Sequence, residues 1–156
     1  MQLTPAAFSA LSELLRLRAG PANLAAGLVL LDGMRPADAA RTAGCIKQTL
    51  NYTLRSVERG IELVQSISLD LQGKLTEESF QALGELLRLR EGPARIAASL
   101  VLVDGMRPAD AARLAGCSAQ SASNTILVCR RGLDLARHVA AGLSKDLAGK
   151  SGNAVI

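Results

Sequence analysis

The stretch LDGMRPADAARTAGC, residues 31–45, returns as VDGMRPADAARLAGC at residues 103–117, with only Leu31/Val103 and Thr42/Leu114 exchanged. Working outward from this pair, a shift of 72 residues superposes most of the chain on itself, with Leu3 landing on Leu75. From Leu3 to Cys45, 32 of 43 positions are identical. From Ile46 to Ile67 only 5 of 22 are: Gln48, Thr53, Arg59, Gly60 and Leu63, which repeat as Gln120, Thr125, Arg131, Gly132 and Leu135. A duplication sets the unit that has to be explained. Here that unit is about 66 residues, enough for a small helical domain. The expected organisation is a first unit over 1–72, a second over 73–143 and a flexible tail over 144–156.

Composition narrows the class. The chain has 156 residues, 49% hydrophobic but only 2% aromatic, so its core is built from Leu, Ala and Val. That mixture favours helices over sheets, which draw on aromatic and β-branched residues. The net charge is +4, which permits a polyanionic partner without demanding one. Met1 to Phe8 shows no signal peptide, and the aliphatic runs Leu24–Leu31 and Ile96–Val103 are far shorter than the roughly 18 residues of a membrane span. Three cysteines and one histidine at no ligand-like spacing support neither a disulfide framework nor a metal site. No nucleophile–base pair recurs in both copies, so the expectation is a non-enzymatic, cofactor-free, cytoplasmic protein.

Each unit punctuates itself as helices. Thr4 is placed as an N-cap and Pro5 at the first helical position, with Leu3 and Phe8 where a hydrophobic staple requires them. The second copy keeps Leu75, Thr76 and Phe80 and adds Glu77 and Glu78 in the first turn, where the helix dipole favours them. The first helix is expected to run to about Arg18, ending at Gly20, and the second to cover Pro21 to Leu31, ending at Gly33. A short third helix spans Pro36 to Ala43 and stops at Gly44. A fourth begins near Lys47, is loosened at Gly60, and continues as a fifth toward Gln72 on the apolar spacing Ile61, Val64, Ile67 and Leu71. The second copy follows with Thr76–Arg90, Pro93–Val103, Pro108–Ala115, Ala119–Arg131 and Leu133–Leu143. The fold class is therefore all-α, a tandem duplication of a five-helix unit.

The short third helix, its glycine stop and the helix after it have the arithmetic of a helix-turn-helix. Ala39, Ala40, Ala43, Cys45 and Leu50 fall where the two helices must pack, and the second copy offers Ala111, Ala112, Ala115, Cys117 and Ala122. That register turns Ile46, Lys47, Gln48, Asn51, Tyr52 and Arg55 outward in the first copy. In the second it turns out Ser118, Ala119, Gln120, Ser123, Asn124 and Leu127. Five of the six pairs differ on a nearly unchanged scaffold, as readout of two different base sequences would produce, and as relaxed constraint on a solvated face would too. Lys47 and Arg55 suit guanine acceptors or phosphates, and Gln48 and Asn51 suit adenine. Tyr52 can stack or hydrogen-bond, while Gln120, Ser123 and Asn124 can read bases without a cation. Ser118 suits a helix cap, and Leu127 suits at most a thymine methyl. Arg35, Arg41, Arg107 and Arg113 flank the preceding helices, where backbone phosphates lie.

These residues also carry a resemblance. Leu3-Thr4, Phe8, Val29-Leu30-Leu31-Asp32-Gly33, Ala40 and Gly44 resemble the KorA/TrfB family of plasmid repressors. The second copy is closer, with Leu75-Thr76-Glu77, Phe80, Leu100-Val101-Leu102-Val103-Asp104-Gly105, Ala112, Gly116 and Ser118. The resemblance implies a bacterial, plasmid-borne repressor that binds a double-stranded DNA operator and dimerises through the helix after the reading helix. The family's basic residue inside the reading helix falls on Lys47 and is replaced by Ala119; its hydroxyl is kept as Ser118 and replaced by Ile46. Because the unit occurs twice, both a homodimer and an intramolecular pseudo-dimer fit. The competing class is a helical adaptor that binds another regulator and no DNA.

Overall fold

The computed structural model describes residues 2–67 and 73–151, the side chains of 144–151 excepted. Among these residues the chain is all-helical, with eight helices and no β-strand. The first copy supplies α1 (Pro5–Leu14), α2 (Pro21–Leu30), α3 (Pro36–Ala43) and α4 (Lys47–Ser66). The second supplies α5 (Glu77–Leu86), α6 (Pro93–Leu102), α7 (Pro108–Ala115) and α8 (Ala119–Ser151).

Local chemistry sets the helix starts. Thr4 Oγ1 accepts the Ala7 N–H and Thr76 Oγ1 the Ser79 N–H, each at 3.2 Å. Proline occupies the first turn of α1, α2, α3, α6 and α7, where its missing N–H removes no bond. Leu3 and Leu75 are buried beside these starts. Their amides donate to the carbonyls of Leu30 and Leu102, occupying acceptors that the last turns of α2 and α6 leave open.

Three expectations are corrected. First, α1 and α5 stop at Leu14 and Leu86, four residues early, because Arg16 and Arg88 adopt the left-handed region with φ of 52° and 53°. The Leu17 amide then closes on the Ser12 carbonyl, and Leu89 on Gly84, both at 2.9 Å. Second, each sequence copy has four helices among the described residues, since α4 and α8 run unbroken through Gly60 and Gly132. Those glycines make room. A Cβ at Gly60 would lie 3.0 Å from Leu15, and one at Gly132 would lie 2.8 Å from Leu87. Third, α8 continues past Leu143, the expected end of the last helix, as far as Ser151. The expected extension of α4 ends at Ser66, and its remainder, 68–72, lies outside the described residues.

Compact packing follows a different division from the sequence repeat. One unit comprises Met1–Glu62 together with Leu135–Ile156, and the other Leu63–Asp134. The boundaries fall within α4 and α8, which run for 20 and 33 residues. In the first unit α2 packs on α3, and Ala25, Ala26, Ala39, Ala40 and Leu50 form a buried cluster edged by Phe8, Val29, Met34 and Cys45. Ala136, Val139 and Leu143 of α8 are buried, and Gly142 lies so close to Ala7 that a Cβ there would meet it at 2.5 Å. In the second unit α6 packs on α7 around Ala97, Ala111, Ala112 and Ala122. Leu63 and Val64 are buried, and the buried Ser79 hydroxyl donates to the Ser66 carbonyl at 3.5 Å.

The two kinds of left-handed residue predict opposite responses to substitution. Gly44 sits at φ 75° with open space around it, so Gly44→Ala adds only backbone strain. It should lower stability by about 1–2 kcal/mol in denaturant unfolding. Arg16→Gly relieves the same strain and should raise stability, by under about 1 kcal/mol after the entropy of glycine. A neutral Gly44→Ala would show that the turn is not held in this conformation.

Candidate nucleic-acid interface

The junction between α3 and α4 is a tight reversal. Gly44, left-handed, closes α3, and the Cys45 amide returns to the Ala40 carbonyl at 2.9 Å. Cys45, half-buried, packs back on the Ala39–Ala40–Leu50 cluster, the apolar contact that accompanies this kind of helix ending. The second copy repeats it with Gly116 at φ 78°, Cys117 and a 3.0 Å return bond to the Ala112 carbonyl. Ala39, Ala40, Ala111 and Ala112 are all at most 4% exposed, so the methyl side chains permit the close crossing.

Burial on one side of α4 determines what its other side presents. Leu50 and Val57 are fully buried and Ile61 nearly so. Lys47, Gln48, Asn51, Tyr52 and Arg55 are then all exposed, and together with Thr49 they line one open hollow of about 780 Å³. Tyr52 is 72% and Ile46 70% exposed, so neither is anchored in the core. Thr49 is the lining residue that the sequence register left out; its adjacency to Gln48 was the available signal.

On α8, Ala122 and Cys129 are fully buried and Ile126 nearly so, which turns Ser118, Ala119, Gln120, Ser123, Asn124 and Leu127 to the surface. Their polar groups partly satisfy one another. Ser118 Oγ accepts the Ser121 N–H at 3.1 Å and donates to Ser121 Oγ at 2.9 Å, capping the helix. Gln120 Nε2 donates to Asn124 Oδ1 at 3.0 Å. Ile46 offers α4 no equivalent cap. Leu127 is 62% and Val128 38% exposed, where the first copy has Arg55 and Ser56. Arg130, exposed one turn beyond Leu127, is a cation that the sequence register passed over.

The four flanking arginines stand at the surface. Arg41 and Arg113 have side chains 81% exposed, and each pairs loosely with an aspartate three residues before it. Arg107 Nε donates to Asp110 Oδ2 at 3.0 Å, and Arg35 is likewise exposed. Exposed pairs of this kind are worth under about 1 kcal/mol, so they leave the guanidinium groups exchangeable toward a polyanion.

No family model matches the chain, and no curated protein or solved structure is similar to it.

Away from these faces the copies differ in one coupled exchange. Ser12 and Asn23 of the first become Gly84 and Arg95 in the second. A Cβ at Gly84 would lie 2.8 Å from Arg95 Nη2, so the glycine makes room for the guanidinium. Arg95 donates to Gln81 Oε1 at 2.8 Å and to the Leu89 carbonyl at 3.4 Å, and pairs with Glu91. Ser12 Oγ and Asn23 Oδ1, in contrast, are buried without a hydrogen-bond partner. His138, expected at a surface or interface, lines a hollow of about 530 Å³ with Thr4, Ser9 and Glu13.

Burial pushes the Cys129 thiol up from 9.0 to about 11, against a smaller opposing pull from the Arg95 guanidinium. A thiol with a raised pKa binds its proton more tightly folded than unfolded. Stability is therefore complete below pH 9 and is lost as pH rises from about 9 to about 11. Comparison of the wild type with Cys129→Val, which copies Val57, should isolate a loss of at most about 2–3 kcal/mol across that window. Identical pH profiles for the two proteins would show that Cys129 titrates normally.

Proposed function

We propose that the chain is a sequence-specific double-stranded DNA-binding transcriptional regulator, a repressor, built from two tandem helix-turn-helix units. In this reading α3 and α7 lie across the backbone, and α4 and α8 enter the major groove. The observation that carries it is the α4 face. A small-residue crossing buries Leu50 behind it, and Lys47, Gln48, Asn51, Tyr52 and Arg55 line a single exposed hollow. Those are the side chains that pair with guanine and adenine edges. Arg35, Arg41, Arg107 and Arg113 supply phosphate contacts, and the KorA/TrfB resemblance of both copies supports a repressor of bacterial, plasmid or mobile-element origin acting at the nucleoid.

The test is duplex binding as a function of salt. Affinity should fall steeply, by about 0.9 log units per phosphate contact for each decade of salt. Lys47→Ala or Gln48→Ala should weaken operator binding by roughly 1–3 kcal/mol through a lost base contact. Unchanged affinity in both variants would exclude the first copy as the reader.

A second reading, a helical adaptor that binds another regulator, draws on the exposure of Leu114 (69%), Leu127 and Val128. Absent or salt-insensitive binding to every duplex would favour it.

On stoichiometry, much of the apolar stripes expected to pair two chains is buried within one: Leu133, Ala136, Val139 and Leu143 on α8, and Ile61 and Val64 on α4. The proposed species is therefore a single chain acting as its own pseudo-dimer. Light scattering should give a mass near 16.3 kDa. A mass twice that value would establish the homodimer.

A further inference from the structure

We propose that the two heads read chemically unlike half-sites, α4 through hydrogen bonds to purine edges and α8 through the C5-methyl groups of thymines in an A·T-rich segment. This rests on the DNA-binding function proposed above. Both helices leave their turns by the same left-handed glycine and the same return bond, so equivalent positions face outward alike. What differs is the chemistry at those positions. Lys47, Arg55 and Ser56 become Ala119, Leu127 and Val128.

Most of the polar groups that α8 retains are engaged within the helix, Ser123 excepted. The Ser118 hydroxyl is engaged twice with Ser121, and Gln120 is tied to Asn124. Beside Ser123 and the remaining amide atoms of Gln120 and Asn124, the large side chains that this face exposes are aliphatic, with Leu127 at 62% and Val128 at 38% exposure. Major-groove base edges are otherwise hydrogen-bond donors and acceptors; their one apolar feature is the thymine methyl. Charge distinguishes this face from an ordinary protein-docking patch. Beyond Leu127 the sequence places Arg130 and Arg131 where α4 has Glu58 and Arg59. Cationic charge is thus moved one turn along the helix, about 5 Å, rather than removed. An aliphatic spot flanked by guanidinium groups complements a methyl-lined groove edged by phosphates.

The experiment uses the full chain and a duplex selected by it from a random pool. That duplex is resynthesised with uracil for thymine in one half at a time, which deletes the methyl and keeps every hydrogen-bonding group. Uracil should weaken binding about fourfold per contacted methyl in one half only. The effect should vanish in Leu127→Ala, whose exposed position leaves the fold intact by circular dichroism. The other half should tolerate uracil but lose affinity with 7-deazapurines, a sensitivity that disappears in Gln48→Ala. Tolerance of uracil throughout, or uracil sensitivity that survives Leu127→Ala, overturns the inference while leaving DNA binding standing. Unchanged affinity of Leu127→Ala also overturns it and marks the face as a protein contact. Failure to enrich any duplex removes the DNA-binding function and this inference with it.

Discussion

Everything on the two candidate faces depends on a steric constraint behind them: two alanine methyls and one left-handed glycine at each helix crossing. With Ala39 and Ala40 buried against Leu50, α3 and α4 approach closely enough that Cys45 folds back onto the same cluster. A branched side chain at Ala40 would separate the helices, and a residue resisting φ near 75° at Gly44 would re-aim α4. Helical periodicity does the rest. Once Leu50 and Val57 are buried seven residues apart, positions 47, 48, 51, 52 and 55 have only solvent to face. Function can then change on the outer side with no change in the crossing, and the abrupt loss of identity after Cys45 is consistent with that freedom.

Divergence also reached the interior, in compensated steps. Leu50 becomes Ala122 and Val57 becomes Cys129, so the second copy has smaller side chains behind its outward face. Elsewhere it gains bulk: Arg95 occupies space released by Gly84 and satisfies its guanidinium on Gln81, Glu91 and a backbone carbonyl. Each member of that exchange fits the other. A Cβ at position 84 would lie 2.8 Å from Arg95 Nη2, so the guanidinium would have to shift from its present partners. The first copy keeps the alternative solution, with two buried polar oxygens and no protein partner for either.

Local signals in the sequence were read correctly and non-local ones were not. Thr4, Thr76, the prolines and Gly44 act within one helical turn, so their roles follow from spacing alone. Gly60 and Gly132 show the opposite case. Helix propensity makes a glycine a weak point, whereas here each is the contact surface for the leucine that caps the first helix of its own copy, Leu15 after α1 and Leu87 after α5. Arg16 and Arg88 end their helices in a conformation that propensity assigns to glycine. The end of α8 packs in the unit that holds α1, about 130 residues away in sequence, a pairing no local pattern encodes. The outward faces were legible because they are the complement of a periodic buried stripe; Thr49 and Arg130 escaped because each borders that face rather than centring it.

The proposed DNA-binding function also accounts for the modest net charge of +4. Phosphate contacts carry no base information, and their contribution scales with the number of counterions released. A head with a few exposed guanidinium groups binds weakly and discriminates poorly by charge alone. Two such heads in one covalent chain convert the second encounter into an intramolecular one, which raises avidity without further cations. On that proposal, duplication would supply affinity that a single unit would otherwise need a more basic surface to reach. On the same proposal one head would need no cation in its outward face, where Ala119 and Leu127 stand in place of Lys47 and Arg55.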